Sequence, residues 1–232
     1  MKSLQFYLHF AGTITQTDVV DMILERFADK SWQLVEKEWQ EGRIGSRECL
    51  TQQMEFVKAS PGDLKKISDE VKVDPFFLSF LQLMRRSGVQ VAIVSDGFGF
   101  IIRHILEKYL GAYPEILKSI PVYCNNIEWT AAAPKVIFGS EEVCVHACAN
   151  CKPAVIRKTA GMDDMVLFVG DGLSDRYAAQ VSHRTFAKGK LLKFCRDHAL
   201  VHEAYANFKD IENWFLKNNT LSSPKALVGD QP

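Results

Sequence analysis

Residues 4–13 of the chain read Leu-Gln-Phe-Tyr-Leu-His-Phe-Ala-Gly-Thr, and they carry the clearest indication of the fold class. It passes from a continuous apolar run into small and polar residues. A short run of this kind is typical of a β-strand that is covered on both faces, as in a parallel sheet. Ligands of such sheets bind beyond the carboxyl ends of the strands. The residues after Phe10 therefore predict one wall of a functional site.

Two later stretches repeat this pattern. Residues 89–94 are apolar and lead into Ser-Asp-Gly at 95–97, and residues 165–169 lead into Gly-Asp-Gly at 170–172. Because the carboxyl ends of parallel strands meet at one edge of the sheet, we expect the three polar tails to converge on one pocket.

A helical insert is predicted between the first two strands. Val20, Ile23, Leu24 and Phe27 follow the spacing of one buried helix face, and residues 60–63 read as a helix start with a capping serine and an acid at the third position. We assign residues 17–73 to a helical cap, residues 1–16 and 74–220 to the core domain, and residues 221–232 to a flexible tail. Later elements are predicted as a helix over 100–110, a strand over 120–124, a helix from 153 and a terminal helix over 204–218.

Composition excludes some classes of partner. Twenty-eight basic residues balance twenty-eight acidic ones, so no net field favours nucleic acid or an anionic membrane. The amino terminus lacks the features of a signal peptide, and no apolar stretch is long enough to span a bilayer. Six cysteines without a secretion signal are expected to be reduced thiols, which predicts a cytoplasmic protein.

Four short motifs occur in a characteristic order: His9 to Thr13, Ser95 to Gly97, Lys152-Pro153, and Gly170 to Asp175. Together they resemble the haloacid dehalogenase (HAD) superfamily, in its phosphoserine-phosphatase-like branch and closest there to the methionine-salvage phosphatases. The resemblance covers roughly residues 4–218. It implies an α/β fold, with a Rossmann-like core built on a parallel sheet and a small inserted helical cap.

The resemblance also implies roles for these residues. Thr13, Ser95, Asp96, Gly97 and Lys152 correspond to positions that bind a phosphate-sized anion, although the branch has glycine where this chain has Asp96. Asp171 and Asp175 correspond to the acidic motif that holds Mg²⁺. From the residues alone, Asp171 is equally compatible with a carboxylate that only caps a strand-to-helix turn.

The first motif departs from the family pattern. Relatives carry Asp-Phe-Asp-Gly-Thr, in which the first aspartate attacks phosphorus and ligates Mg²⁺ and the second acts as acid and base. Here those positions are His9 and Ala11. Losing such a pair commonly costs about 10⁴ to 10⁶ in rate.

Three functions remain open from the sequence. The first is a repurposed hydrolase that acts on a small phosphate- or carboxylate-bearing metabolite, with His9 and Lys152 as catalytic residues. The second is an inactive pseudophosphatase that binds a small anion or a protein partner. The third is an ordinary Mg²⁺-dependent phosphomonoesterase. The resemblance is also compatible with a homodimer, and it makes the cap residues Glu25, Arg43 and Arg47 candidates for substrate contact.

A second metal site is suggested by Cys144, His146, Cys148 and Cys151, four soft or borderline ligands within eight residues. The spacing of the last two cysteines is that of a zinc knuckle. The alternative is a set of buried free thiols inherited with the scaffold.

Overall fold

The computed structural model describes residues 3–130, 134–140 and 144–219. Within these ranges the strands are β1 (Leu4–Leu8), β2 (Gln90–Phe98), β3 (Val122–Trp129), β4 (Pro134–Ile137), β5 (Met165–Gly170), β6 (Arg184–Ala187) and β7 (His202–Ala204). The helices are α1 (Val19–Phe27), α2 (Trp32–Gln40), α3 (Ser46–Glu55), α4 (Pro61–Glu70), α5 (Phe77–Arg86), α6 (Gly99–Leu110), α7 (Pro114–Ser119), α8 (Lys152–Thr159), α9 (Arg176–Val181), α10 (Gly189–Asp197) and α11 (Phe208–Asn219). A 3-10 turn spans Leu173–Asp175.

The strands form one sheet in the order β4-β3-β2-β1-β5-β6-β7. All neighbours are parallel except β3 and β4, which form an antiparallel pair. The apolar segment that opens the chain is therefore a central strand, and Phe6, Tyr7 and Leu8 are fully buried. This confirms the predicted α/β fold with its mostly parallel sheet.

The strand register brings the predicted polar tails together. Leu8 pairs with Ile93 on β2 and with Val169 on β5, so the polar segments that begin at His9, Ser95 and Gly170 start at nearly the same height. The backbone N–H of His9 extends this alignment by one residue through a 2.9 Å hydrogen bond to the carbonyl of Val169. The three polar segments consequently lie at one edge of the sheet.

Helices α1 to α4 form the insert between β1 and α5. An isolated antiparallel bridge joins Thr15 to Val73, so the chain enters and leaves the insert at adjacent points. The predicted helix start at Ser60 carries a complete capping box, in which Ser60 and Asp63 each accept a hydrogen bond from the other's backbone N–H. One apolar cluster runs without a break from the sheet (Phe6, Leu8) into the insert (Leu50, Met54).

Two predicted elements differ from the structure. Ala204 belongs to β7, and the terminal helix begins four residues later at Phe208. The cause is local, because the Asp210 carboxylate accepts hydrogen bonds from the N–H groups of Ala206 and Asn207 and fixes the helix start there. The strand predicted over 120–124 runs instead over Val122–Trp129, since its second half pairs with β4.

The predicted tail at 221–232 lies outside the described residues. No helix among those described has the length and apolar character needed to cross a bilayer.

Candidate functional site

The ends of β1 and β5 place His9 beside Asp171 and Asp175. His9 Nδ1 lies 3.4 Å from Asp171 Oδ1 and 3.0 Å from Asp175 Oδ2. This close approach depends on Gly12. Its backbone has a φ of +75°, and a Cβ atom at this position would collide with the Asp171 carboxylate. Three of the predicted site residues are therefore brought into direct contact.

The His9 ring is enclosed, with only 5% of its surface exposed. Burial by itself disfavours a charged imidazole, but the negative charge of Asp175 and contacts with both aspartates outweigh burial and the nearby Lys152. The pKa of His9 is raised to about 10 as a result. At neutral pH the ring is a buried imidazolium that is paired with two carboxylates.

Asp175 is the carboxylate at the centre of the network. Its Oδ2 accepts hydrogen bonds from the backbone N–H groups of Asp171 (3.1 Å) and Gly172 (3.2 Å). The turn-capping role considered for Asp171 therefore belongs to Asp175. Burial opposes ionisation of Asp175, but His9 and Lys152 overcome it and lower the pKa of this carboxyl well below its usual range.

Lys152 begins α8 and is almost completely buried, with 1% of its surface exposed. Its ammonium lies 2.7 Å from Asp96 Oδ2, 2.9 Å from Asp175 Oδ1 and 2.9 Å from Ser174 Oγ. Burial disfavours the charge, but Asp175 and Asp96 reverse that effect and raise the pKa of Lys152. The position of Asp96 is thereby explained: it is the partner of Lys152 and accepts a further hydrogen bond from the Asn150 backbone N–H.

The hydroxyl groups of Thr13 and Ser95, which were predicted to bind an anion, form hydrogen bonds within the protein. Thr13 Oγ1 donates to Asp171 Oδ1 at 2.5 Å, and Ser95 Oγ accepts from the Gly97 backbone N–H at 3.0 Å. Both residues are fully buried. Among the described residues, the side chains of Thr13, Ser95 and Lys152 do not line the neighbouring cavity, whereas Asp96 and Gly97 do.

That cavity, of about 380 Å³, lies between the sheet edge and the helical insert. This volume suits a small molecule. His9, Ala11 and Asp171 form its floor, and residues of α1, α2 and α3 form its upper wall. The charged residues on that lining are Asp18, Asp21, Glu36, Asp96, Asp171, His9 and Lys190.

The upper wall of the cavity is acidic, which the sequence did not indicate. Asp18 caps α1 by accepting a 2.8 Å hydrogen bond from the Val20 N–H, and burial raises its pKa against the effect of His9. The pKa of Asp21 is raised to about 7 by removal from water and by the neighbouring carboxylates, Asp18 foremost. Asp21 follows the Asp18 cap by about one helical turn. This spacing in the sequence could have predicted that both side chains lie at one end of α1.

The cap residues proposed from the sequence do not line this cavity. Arg43 pairs with Glu41 on the outside of the insert. Arg47 lies over the ring of Phe138 at 4.1 Å from its centroid. Glu25 is exposed on α1. Asp18, Asp21 and Glu36 occupy the positions from which a cap would contact a ligand.

The residues present do not fit a magnesium ion. The donor atoms of His9, Asp171 and Asp175 lie within 4.8 Å of one another, as in a metal site. However, Mg²⁺ requires oxygen ligands, and here the β1 donor is an imidazole nitrogen. The imidazolium and Lys152 also offset two of the three carboxylate charges of Asp96, Asp171 and Asp175.

The cysteine-rich segment forms a separate cluster. The sulfur atoms of Cys144, Cys148 and Cys151 all lie within 4.8 Å of one another. His146 is not part of this group, which corrects the four-residue site suggested by the sequence. Its ring instead stacks on Tyr177, with centroids 3.7 Å apart, because the turn that brings the thiols together directs His146 toward α9.

The sequence matches the family described as haloacid dehalogenase-like hydrolase over residues 9–180, so the match begins at His9. A curated relative from Bacillus pumilus (strain SAFR-032), 2-hydroxy-3-keto-5-methylthiopentenyl-1-phosphate phosphatase, is 26% identical over 217 residues, which cover 89% of this chain and 88% of the relative.

Two solved structures share the fold. A phospho-aspartyl intermediate analogue of phosphoserine phosphatase superposes with a TM-score of 0.70 at 18% identity, covering 92% of this chain and 99% of the other. A substrate-bound phosphoserine phosphatase complex superposes with a TM-score of 0.67 at 17% identity, with the same coverage.

Proposed function

Because the chain belongs to the haloacid dehalogenase-like hydrolase family, yet lacks carboxylates at positions 9 and 11, we propose that it binds a small molecule beneath its cap without hydrolysing it. One observation carries this proposal. The side chain at the tip of β1 is a buried imidazole held against Asp171 and Asp175, at 3.4 Å and 3.0 Å. It stands at the first residue of the family match.

The same contacts argue against a catalytic His9. A general base or nucleophile needs a free lone pair directed at substrate. The raised pKa keeps the ring protonated at neutral pH, so neither Nδ1, which faces the two carboxylates, nor Nε2 has a free lone pair. Ala11, the second position of the altered motif, lines the cavity with a methyl group and cannot transfer a proton.

The lining supports a ligand with a positively charged group. His9 and Lys152 offset two of the three carboxylate charges of Asp96, Asp171 and Asp175. The carboxylates of Asp18, Asp21 and Glu36 face one further cationic side chain of the lining, the exposed Lys190. Unmatched carboxylates in a narrow cavity are stabilised by a cation. We therefore propose a small amine as the ligand class, in place of the small anion expected from the resemblance.

The first experiment tests hydrolysis. Phosphate release from p-nitrophenyl phosphate and phosphoserine is measured with Mg²⁺ for the wild-type chain and for a variant combining His9→Asp and Ala11→Asp. We expect the wild-type rate to be lower than that of the restored variant by about 10⁴-fold or more.

Wild-type turnover that His9→Ala abolishes would instead establish a repurposed hydrolase. Wild-type turnover that survives His9→Ala would establish an ordinary phosphomonoesterase. Either outcome ends the proposal of a non-hydrolysing protein.

The second experiment tests the ligand class by thermal denaturation. Ethanolamine and choline are expected to raise the unfolding midpoint, since a ligand present at about 100 times its Kd stabilises the folded state by about 2.7 kcal/mol. Inorganic phosphate is expected to leave the midpoint unchanged. Glu36→Gln should reduce the effect of the amines, whereas Glu25→Gln, on the exposed side of α1, should not. A larger shift with phosphate than with either amine contradicts this assignment.

A further inference from the structure

The loop formed by residues 144–151, here called the cysteine loop, carries three thiols that neither line the cavity nor contact His9. It presents three thiols, from Cys144, Cys148 and Cys151, whose sulfur atoms lie within 4.8 Å of one another. All three are free. Thiolates bound to one tetrahedral zinc ion at about 2.3 Å stand about 3.8 Å apart, so only a small adjustment separates this arrangement from a bound state.

The backbone of the loop is shaped to bring the three sulfur atoms together. A tight turn closes through a 2.8 Å hydrogen bond from the Ala147 N–H to the Cys144 carbonyl, and Ala147 itself adopts a left-handed conformation with a φ of 47°. The Cys148 N–H then donates to Cys144 Sγ at 3.4 Å. Cys151 follows at the start of α8, which fixes its direction.

The surroundings of Cys144 lower the pKa of its thiol. Burial opposes ionisation of Cys144, but hydrogen bonds from the backbone N–H groups of Cys148 and His146 and from the other two thiols outweigh it and lower its pKa. Thiolates are the form that binds soft metal ions. Backbone N–H groups directed at a ligating sulfur also orient it for the metal.

We propose that Cys144, Cys148 and Cys151 bind one thiophilic divalent cation, Zn²⁺, through three sulfur atoms. This site is distinct from the His9 network and does not depend on the proposed function. His146 does not contribute, because its ring stacks on Tyr177. Asp96 does not contribute either, since both of its carboxylate oxygens are taken by Asn150 and Lys152. The fourth coordination position would be open to water or an added ligand.

Metal binding would fix the positions of the elements that contact the cysteine loop. The cysteine loop accepts a 3.0 Å hydrogen bond from the Arg47 N–H of α3 at Ala147, and it carries Asn150, whose amide donates to the carbonyls of Ser95 and Tyr123 at 2.9 Å. An ion bound to the three thiols would hold the insert, β2, β3 and the start of α8 in one arrangement.

The test uses the full chain, reduced and freed of metal, titrated with Co²⁺ as a spectroscopic probe. We expect one cobalt ion per chain with intense sulfur-to-cobalt charge-transfer absorption and the visible bands of a tetrahedral ion. Zn²⁺ should displace the cobalt and abolish both signals. Cobalt bound at His9, Asp171 and Asp175 would lack the sulfur band, so the two sites are distinguishable.

Variants assign the ligands. Cys144→Ser and Cys151→Ser should each weaken binding by more than about 100-fold, since loss of an outer-shell partner alone costs about 10–100-fold. Cys124→Ser, which changes a half-buried thiol outside the cluster, and His146→Ala should bind as the wild type does. Circular dichroism verifies that each variant is folded.

Thiol alkylation of the wild-type chain gives a second readout that needs no variant. Saturating Zn²⁺ should protect Cys144, Cys148 and Cys151 and leave the reactivity of Cys124 unchanged, as judged by mass spectrometry of the labelled peptides. The proposal is overturned if the wild type shows no sulfur-to-cobalt band, if the band survives Cys144→Ser, or if Zn²⁺ protects none of the three thiols.

Discussion

His9 shows how one side chain changes the electrostatics of a site. An imidazolium at the tip of β1 places a fixed positive charge 3.0 Å from Asp175 and 3.4 Å from Asp171, where a carboxylate would add a third negative charge and require a cation. The network of His9, Asp171, Asp175, Lys152 and Asp96 is thus held together by its own side chains. Its stability should therefore depend on the protonation of His9.

We predict that the free energy of unfolding falls as pH rises from about 6.5 to about 10, because the pKa of His9 is near 6.5 in the unfolded chain and about 10 in the folded one. The contribution of His9 is fully present below 6.5 and is lost as pH rises through 10. The slope from this one group reaches about 1.4 kcal/mol per pH unit. Asp18, Asp171, Asp175 and Lys152 are the charged groups that act on the ring.

Urea denaturation at a series of pH values measures this slope. His9→Gln retains a polar side chain without the titration, so the wild-type slope should exceed that of the variant throughout this range. Equal slopes in the two proteins would show that His9 is not protonated in the folded state.

At the scale of elements, the insert and the core meet where α3 begins. Gly45 precedes α3 and touches Ala147 of the cysteine loop so closely that a Cβ at position 45 would collide with the Cβ and carbonyl of Ala147. The adjacent hydrogen bond from the Arg47 N–H to the Ala147 carbonyl fixes the same contact. The position of α3 therefore depends on the absence of a side chain at residue 45.

We predict that Gly45→Ala lowers the free energy of unfolding by about 1–3 kcal/mol, since an added methyl group in a filled contact forces backbone shifts. Gly62→Ala is the matched control. Gly62 lies in the first turn of α4, and its nearest neighbour to an added Cβ is Ser60 Oγ at 3.6 Å, so alanine there should be neutral or stabilise by about 0.4–1 kcal/mol. Chemical denaturation of both variants measures the difference, and equal effects would contradict the close contact at Gly45.

At the scale of the whole molecule, the imidazole that replaces an oxygen donor beside Asp171 and Asp175 predicts how the fold responds to Mg²⁺. Mg²⁺ should leave the thermal unfolding midpoint of the wild-type chain unchanged. In His9→Asp, three carboxylates share the site, and Mg²⁺ should raise the midpoint, by an amount equivalent to about 2.7 kcal/mol at 100 times the Kd. Adding Asp171→Asn to that variant should remove the response. A wild-type midpoint that rises with Mg²⁺, with the rise abolished by Asp171→Asn, would show that the native site binds Mg²⁺ and would contradict this prediction.

Much of this architecture was accessible from the sequence, because continuous apolar runs ending in polar residues specify parallel strands and the edge at which their tails meet. The convergence of His9 with Asp171 and Asp175 follows from that rule. The pairing of Asp96 with Lys152 did not follow, since nothing in the local sequence orients a lysine at a helix start toward one carboxylate among several. The acidic wall of Asp18, Asp21 and Glu36 was also missed, because it depends on how α1 and α2 are placed over the sheet.

The unbroken apolar cluster between the sheet and the insert limits how molecules can enter and leave the cavity. Swinging the insert away as a rigid lid would expose Leu50, Met54 and the core residues beneath them to water, which opposes wide opening. Among the charged residues of the cavity lining, Asp21 and Lys190 are exposed to solvent, so small molecules would enter on their side. The cavity would then admit compact small molecules and exclude polymers, whatever chemical group a polymer carries at its end.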